Sequence, residues 1–410
     1  MFQSLSRLFA FHRDPLAFFQ TMEHHNGHRA RFRMGLWNFW LLNDPASIRF
    51  VLTHHRQYFI KGPGIGPSNP LIGQGLLTQD NEVWAEQRRR FAPIFKPGNV
   101  QDMTPRIEDV ISHFVANVPQ GQPFDLQQAM LELSLSIVLA TVFGQPQVNS
   151  SVVQSMGQEV QWLMAHFYHR SRSVFRFPYQ VPGFNRRFHQ HKRQLLDILR
   201  LITPQEPTTF MNVWPTISTD SEKALHELIT LVVAGYETTG HALAWALNLL
   251  GQHPNVARCV YEESLKSDVP SPVTHPWTDR VIKETLRLYP SAWLLSRSSL
   301  KAVDFEDIAF RSDDIVLISP WLLHHSETWF DEADQFRPER WLTDPKPYTY
   351  IPFGAGQRGC IGEPLALLES RMALAHIIRA YRFIPQGPRR LFPGLTLQSL
   401  DPMWVSAYPR

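Results

Sequence analysis

The sequence predicts a mainly α-helical single domain, spanning residues 1–410, with a minor β-sheet region. Three observations carry this expectation. Apolar residues recur at helical spacing through most of 100–290, whereas 36–60 and 291–320 hold short apolar stretches broken by turn signals such as Ser312-Asp313-Asp314. Prolines are spread along the chain, and no repeat or low-complexity tract marks a linker. With 410 residues and 43% hydrophobic content, the chain can bury a large core.

Taken in order, the N-terminal stretch Met1 to Asp14 has its apolar run broken at Arg7, Arg13 and Asp14, so neither a signal peptide nor a membrane anchor is expected. Leu36 to Leu42 opens a strand region running to residue 60. Gly62 to Pro70 is so rich in glycine and proline that it reads as a loop, of the kind that helps line a site. Trp162 to Arg193 interleaves basic residues with Phe167, Tyr168, Phe175, Phe177, Tyr179 and Phe184. Ordinary packing of two helices and their turn accounts for it; so does an oily surface in loose contact with a membrane. A long helix opens near Ser221, with Thr219-x-x-Glu222 as its capping box, and runs about 45 Å to the stop at Gly251-x-x-Pro254. Leu228 to Leu250 has nearly the length of a membrane span, but Glu237, His241 and Asn248 interrupt it and a buried core helix fits better.

A net charge of +3 is too small to suggest nucleic acid, and basic residues are scattered apart from Arg88-Arg89-Arg90 and Arg186 to Arg193. The two cysteines, Cys259 and Cys360, exclude a disulfide scaffold and point to a reducing, cytoplasmic setting. Cys259 lies in a helix-like stretch and reads as packing.

Cys360 is different. It sits in Phe353-Gly-Ala-Gly-Gln-Arg-Gly-Cys-Ile-Gly362, a glycine-rich turn ahead of a helical run from Pro364 to Ile377. A metal-bound thiolate needs backbone N–H groups aimed at sulfur and the positive end of a helix, and this segment can supply both. Phe-x-x-Gly-x-Arg-x-Cys-x-Gly would arise by chance in such a chain with probability below about 10⁻⁴, so an ordinary core cysteine is the poorer reading. The segment resembles the haem-ligand loop of the haem-thiolate monooxygenases, the cytochrome P450 family, at every fixed position. Leu365-Ala366-Leu367-Leu368-Glu369 continues it, with leucine where the family has phenylalanine. The resemblance implies a P450 fold with haem b (iron protoporphyrin IX) between a long central helix and the Cys-loop helix. It assigns Cys360 as metal ligand, within a loop that includes Pro352, Phe353, Gly354, Arg358 and Gly362.

In the long helix, Ala234-Gly235-Tyr236-Glu237-Thr238-Thr239 places a carboxylate and a hydroxyl in apolar surroundings, where each needs a partner. Ala234 and Gly235 are small enough to leave room for a diatomic ligand. The run resembles the family's acid-alcohol pair, which delivers two protons for O–O cleavage, and makes Glu237 and Thr238 the catalytic candidates. Glu284 and Arg287 share a helix face. With Arg340 of Phe336-Arg-Pro-Glu-Arg340 they resemble the family's structural Glu-Arg-Arg network. Haem carries two carboxylates, which call for planar guanidinium forks. Trp84 and Arg88, one turn apart, resemble the family's Trp-x-x-x-Arg; Arg297 and Arg358 complete the set.

Tyr289 to Arg297 is expected over the distal side of haem, with Trp293, Leu294 and Leu295 making an apolar wall. Together with Leu231 to Thr238 it resembles bacterial carotenoid ring hydroxylases of this family. The expected activity is therefore hydroxylation of a lipophilic small molecule, a carotenoid or terpenoid before a fatty acid, by a monomer using dioxygen. Electrons would come from a ferredoxin or flavodoxin with its reductase, docking on a subset of the basic residues. A membrane span and nucleic acid are not expected. Two rivals are a peroxide-driven haem-thiolate fatty-acid hydroxylase, disfavoured by the acid-alcohol pair, and a non-catalytic haem sensor, which would tolerate loss of Glu237 and Thr238.

Overall fold

The computed structural model of the chain describes residues 2–63, 71–145, 149–172, 185–202, 221–266, 270–271 and 273–410. Helices α1 (Phe2–Arg13) and α2 (Pro15–Asn26) precede a hairpin of β1 (Arg29–Met34) and β2 (Trp37–Leu42). There follow α3 (Pro45–Thr53), β3 (Phe59–Lys61), α4 (Asn81–Phe91), α5 (Pro97–Gln101), α6 (Thr104–Ala116), β4 (Pro123–Asp125), α7 (Leu126–Thr141), α8 (Ser150–Arg172) and α9 (Arg186–Leu201). The long helix is α10 (Ser221–Gln252), followed by α11 (Pro254–Ser264) and α12 (Pro276–Leu288). Strands β5 (Leu295–Ser299), β6 (Val303–Phe305), β7 (Ile308–Phe310) and β8 (Ile315–Ile318) lead to α13 (Pro320–His324) and α14 (Glu363–Ala380). The chain closes with β9 (Tyr381–Pro385), β10 (Leu391–Pro393), β11 (Leu397–Ser399) and β12 (Trp404–Pro409).

Two strand expectations need correction. Residues 45–53 are helical, because Asp44 accepts from the Ser47 N–H, Pro45 occupies the first turn, and Ile48, Val51 and Leu52 bury one helical stripe. Strands also lie outside the two expected regions: β1 buries Ala30, Phe32 and Met34 at period two, and β9 to β12 follow α14. The box at Thr219 lies outside the described residues, as do residues 64–70 of the loop and Phe175, Phe177, Tyr179 and Phe184.

The main sheet runs β1-β2-β8-β5-β3. Parallel pairing sets Phe39 against Ile315, and antiparallel pairing sets Lys61 against Arg297, so the first and last thirds of the chain meet in one sheet. The 32 residues of α10 span about 48 Å at 1.5 Å per residue. This helix presses on α7, where a Cβ at Gly240 would stand 2.9 Å from the Leu131 Cα. Trp245 stacks on Tyr289 at 4.0 Å, tying α10 to the end of α12. Among the described residues no helix is long and apolar enough to cross a membrane.

A buried network holds the segment ahead of Cys360. Both oxygens of Glu284 accept from Arg287 at 2.9 Å, and Arg340 Nε and Trp341 Nε1 each add a bond of 2.9 Å. Arg287 also donates to the carbonyls of His324 and Ala333. The His324 ring lies 3.2 Å from the Arg287 carbonyl through Nδ1 and accepts the Ile351 N–H at Nε2, 2.9 Å. Those two bonds require a neutral ring with its proton on Nδ1, and burial pushes His324 well below its usual range.

Candidate functional site

Cys360 lies between a 3₁₀ turn at Gly356–Arg358 and α14. Its N–H donates to the Phe353 carbonyl at 2.8 Å, closing the loop. Gly354 and Gly356 both have φ of 68°; at Gly356 a Cβ would also collide with the Leu52 carbonyl of α3. Gly362 has an ordinary φ of −85°, and a Cβ there would lie 3.9 Å from the Cys360 Sγ. Burial pushes the thiol up; the N–H groups of Gly362 and Glu363 and the Arg88 guanidinium pull it down. The side chain remains accessible, while Pro352 is buried behind it in the chain and Phe353 is half-buried.

Beside this loop Lys61, Arg297 and Arg358 gather near the Asp80 carboxylate, and Arg88 stands close to Arg358 and Cys360. Arg358 donates to Asp80 at 2.7 Å and to the Gln79 carbonyl at 2.5 Å, lies 3.0 Å from His55 Nε2, and covers the Trp84 ring at 4.1 Å. Asp80 also accepts the Lys61 N–H at 2.6 Å. Although burial pushes this carboxyl up, His55, the Lys61 N–H and Arg358 hold it well below the usual range. Arg88 stands 5.7 Å from the Trp84 ring and donates to the Gly359 carbonyl at 2.9 Å. Arg297, 8% exposed, donates to the Ser296 carbonyl at 2.9 Å, but its Nε is buried without a partner. Burial, with repulsion from Arg358, lowers Arg297 to about 10; burial, with Arg358 and Arg297 nearby, lowers Lys61 to about 7. Sequence reasoning missed Lys61, Asp80 and His55. An Asp before Asn81 signals only the helix N-cap it also forms.

On α10 the acid and the alcohol occupy different faces. Ala234 is exposed and Thr238 half-buried one turn later, with the Thr238 hydroxyl donating to the Ala234 carbonyl at 2.7 Å. The Thr238 carbonyl accepts from Ser291 at 2.8 Å. Thr239 is hydrogen-bonded to Glu369 of α14, a carboxyl that burial pushes up to about 8, so α10 is tied to the Cys-loop helix beside Thr238. Glu237, 6% exposed, is hydrogen-bonded to Thr396, and burial raises it to about 7.

Two expectations fail here. Gly235 does not clear space on the Ala234 face: a Cβ there would stand 2.9 Å from Val138 Cγ2, so the glycine seats α10 on α7. Trp293 is no cavity wall; it is 5% exposed in a core cluster with Phe19, and its indole N–H donates to the Gly394 carbonyl at 2.8 Å.

These residues fit a cofactor that brings a soft metal and carboxylates together. Among the described residues no group of three or more His, Cys, Asp or Glu could hold an ion, and the Cys360 thiol offers a single soft donor. The unpartnered Arg297 Nε and the excess of half-buried and buried cations over Asp80 suit anionic arms on such a cofactor.

The cytochrome P450 family model matches residues 5–399. Cyclooctatin synthase of Streptomyces melanosporofaciens is 28% identical, the alignment covering 97% of this chain and 90% of the relative. Cyclooctat-9-en-7-ol 5-monooxygenase of the same organism is 27% identical, over 96% and 89%. The crystal structure of CYP175A1 from Thermus thermophilus superposes with a TM-score of 0.84 at 25% identity, covering 99% of this chain and 98% of that one. An open thiol at the head of α14, a basin of cations beside it and a family match along nearly the whole chain lead to one conclusion: this chain belongs to the cytochrome P450 family, an oxidoreductase of the monooxygenase type whose cofactor is haem b.

Proposed function

We propose that Cys360 ligates the haem iron and that the protein hydroxylates a C–H bond of a lipophilic small molecule, with unsaturated terpenoids and carotenoids as the first class to test. The observation that carries this reading is the accessible Cys360 thiol under the Gly362 and Glu363 N–H groups, flanked by Arg88. Haem, when bound, supplies the activation of dioxygen. Arg88, Arg297, Arg358 and Lys61 would hold its carboxylates, and the Trp84 ring supports the first and third of these. Pro352, Phe353, Gly354 and Gly362 shape the loop that presents the sulfur, and Ala234 keeps the α10 face open. Thr238 offers a hydroxyl on that face. Glu237 holds a proton near neutral pH because burial disfavours its anion. In the net reaction, dioxygen, two electrons, two protons and R–H become R–OH and water.

The substrate class is supported by a relative that, by its name, oxygenates cyclooctat-9-en-7-ol. Electrons come from a ferredoxin or flavodoxin with its reductase, and the protein works as a cytoplasmic monomer, a setting supported by its two unpaired cysteines. The test is the absorption spectrum of the dithionite-reduced, carbon monoxide-bound protein beside Cys360→His. A strongly red-shifted Soret band lost in the variant supports the reading; a folded, haem-loaded wild type without that band overturns it. Terpene and carotenoid probes that leave the Soret band unmoved would remove the substrate class alone.

A further inference from the structure

On a different face of α10 from Ala234 and Thr238, α7, α8, α10 and the β10–β11 hairpin enclose a cavity of about 340 Å³. Its rim is exposed at His169 and Leu400, and Glu237 and His241 form its buried end. His241 is 1% exposed and follows Glu237 by one helical turn, so the two side chains are neighbours. Each has a buried polar atom without a protein partner, Oε2 of Glu237 and Nε2 of His241. The amides of Gln128 and Gln161, bonded to each other at 3.1 Å, line the space between rim and floor. A polar cavity of this size holds several waters.

The hydroxyl of Thr396, on the hairpin, joins the two buried groups. It lies 3.2 Å from His241 Nδ1 and is hydrogen-bonded to the Glu237 carboxyl. A hydroxyl can accept from one neighbour while donating to another. We propose that His241 and Thr396 relay solvent protons from this cavity to Glu237, acting through that acid and not on the substrate. The inference rests on the role given to Glu237 above. In the step, a proton enters His241 at Nε2 and the ring releases one from Nδ1 to the Thr396 oxygen. Thr396 passes its own proton to the Glu237 carboxylate, which becomes the neutral acid. The imidazole and hydroxyl end uncharged, and the ring, now carrying its proton on Nε2, resets by turning over so that the protonated nitrogen again faces Thr396. Burial lowers His241 to about 3, so the ring starts neutral, as a relay of this kind requires.

The experiment is hydrogen–deuterium exchange of the Glu237 carboxyl in the full, haem-loaded chain, followed by its infrared C=O band and assigned through the band's loss in Glu237→Gln. His241→Ala and Thr396→Val are each expected to slow exchange by at least about a hundredfold, the lower end of a positioned proton-transfer effect. Thr396→Ser should exchange like wild type, and added imidazole should restore His241→Ala but not Thr396→Val. Exchange unchanged in either slow-class variant overturns the relay. So does slowing that neither imidazole nor the serine variant relieves, since that is the mark of a packing role. This readout does not depend on thiolate ligation or turnover, so failure of the Cys360 assignment would appear in the carbon monoxide spectrum and leave the exchange result standing.

Discussion

Glu237 keeps its proton near neutrality because burial outweighs the Thr396 hydrogen bond, lifting it from about 4.5 to about 7. A carboxyl raised by folding contributes stability that is fully present below about 4.5 and is lost as pH rises through about 7. Glu237→Gln should therefore flatten that part of the pH dependence of the melting temperature between about pH 4.5 and 7, and thermal melts of the pair will check it. The same variant should lower turnover by about 10²-fold, the usual weight of a positioned acid. Glu237, Thr238 and Cys360 stand out as candidates in the sequence because the motifs that carry them are contiguous residues. Lys61, Asp80 and Thr396 were not, since only long-range pairing brings them to the site. His241 had a readable sign: a polar side chain one turn from Glu237 in an apolar helix needs a reason.

Two elements decide how rigidly the site is held. Gly240 lets α10 approach the α7 backbone at Leu131, so Gly240→Ala should destabilise by about 1–3 kcal/mol through overpacking, read from urea unfolding. Gly235→Ala should cost less, because the atom it meets is a Val138 methyl and not backbone. In α12, Glu284→Gln leaves Arg287 and Arg340 without their shared anion. A loss of about 3–5 kcal/mol is expected, with a blue-shifted carbon monoxide complex as the Cys loop loosens. The Glu284 partnership could be read in advance because its helix spacing is fixed and Arg340 sits in a recognisable segment. The helix α3 was hidden by the alternation of Leu36 to Leu42 just before it, although Asp44-Pro45 carries a helix-start signature that a stricter reading would have used.

At the scale of the whole molecule, the cation basin is made by β3, α4, β5 and the Cys loop together. Burial, with Arg358 and Arg297 nearby, lowers Lys61 from 10.5 to about 7, so the unfolded chain binds more protons in that interval. Stability of the haem-free form should rise with pH from about 7 towards about 10.5 and fall back as pH drops towards 7, a trend that Lys61→Met should abolish in chemical unfolding. The mainly helical architecture and its minor sheet region were legible from periodicity, but the order of strands in the sheet was not, because β2 finds β8 from the far end of the chain, Phe39 lying against Ile315. That pairing bears on biosynthesis. The Leu52 carbonyl that seats Gly356, the strand that carries Lys61 and the loop that carries Cys360 are translated far apart, and contacts of such separation form late. With Cys360 as the proposed ligand, a ribosome-bound chain halted before it lacks both the thiol and the Gly362 and Glu363 N–H groups, so cofactor capture must follow synthesis of that loop, although Lys61, Arg88 and Arg297 are already present in the chain.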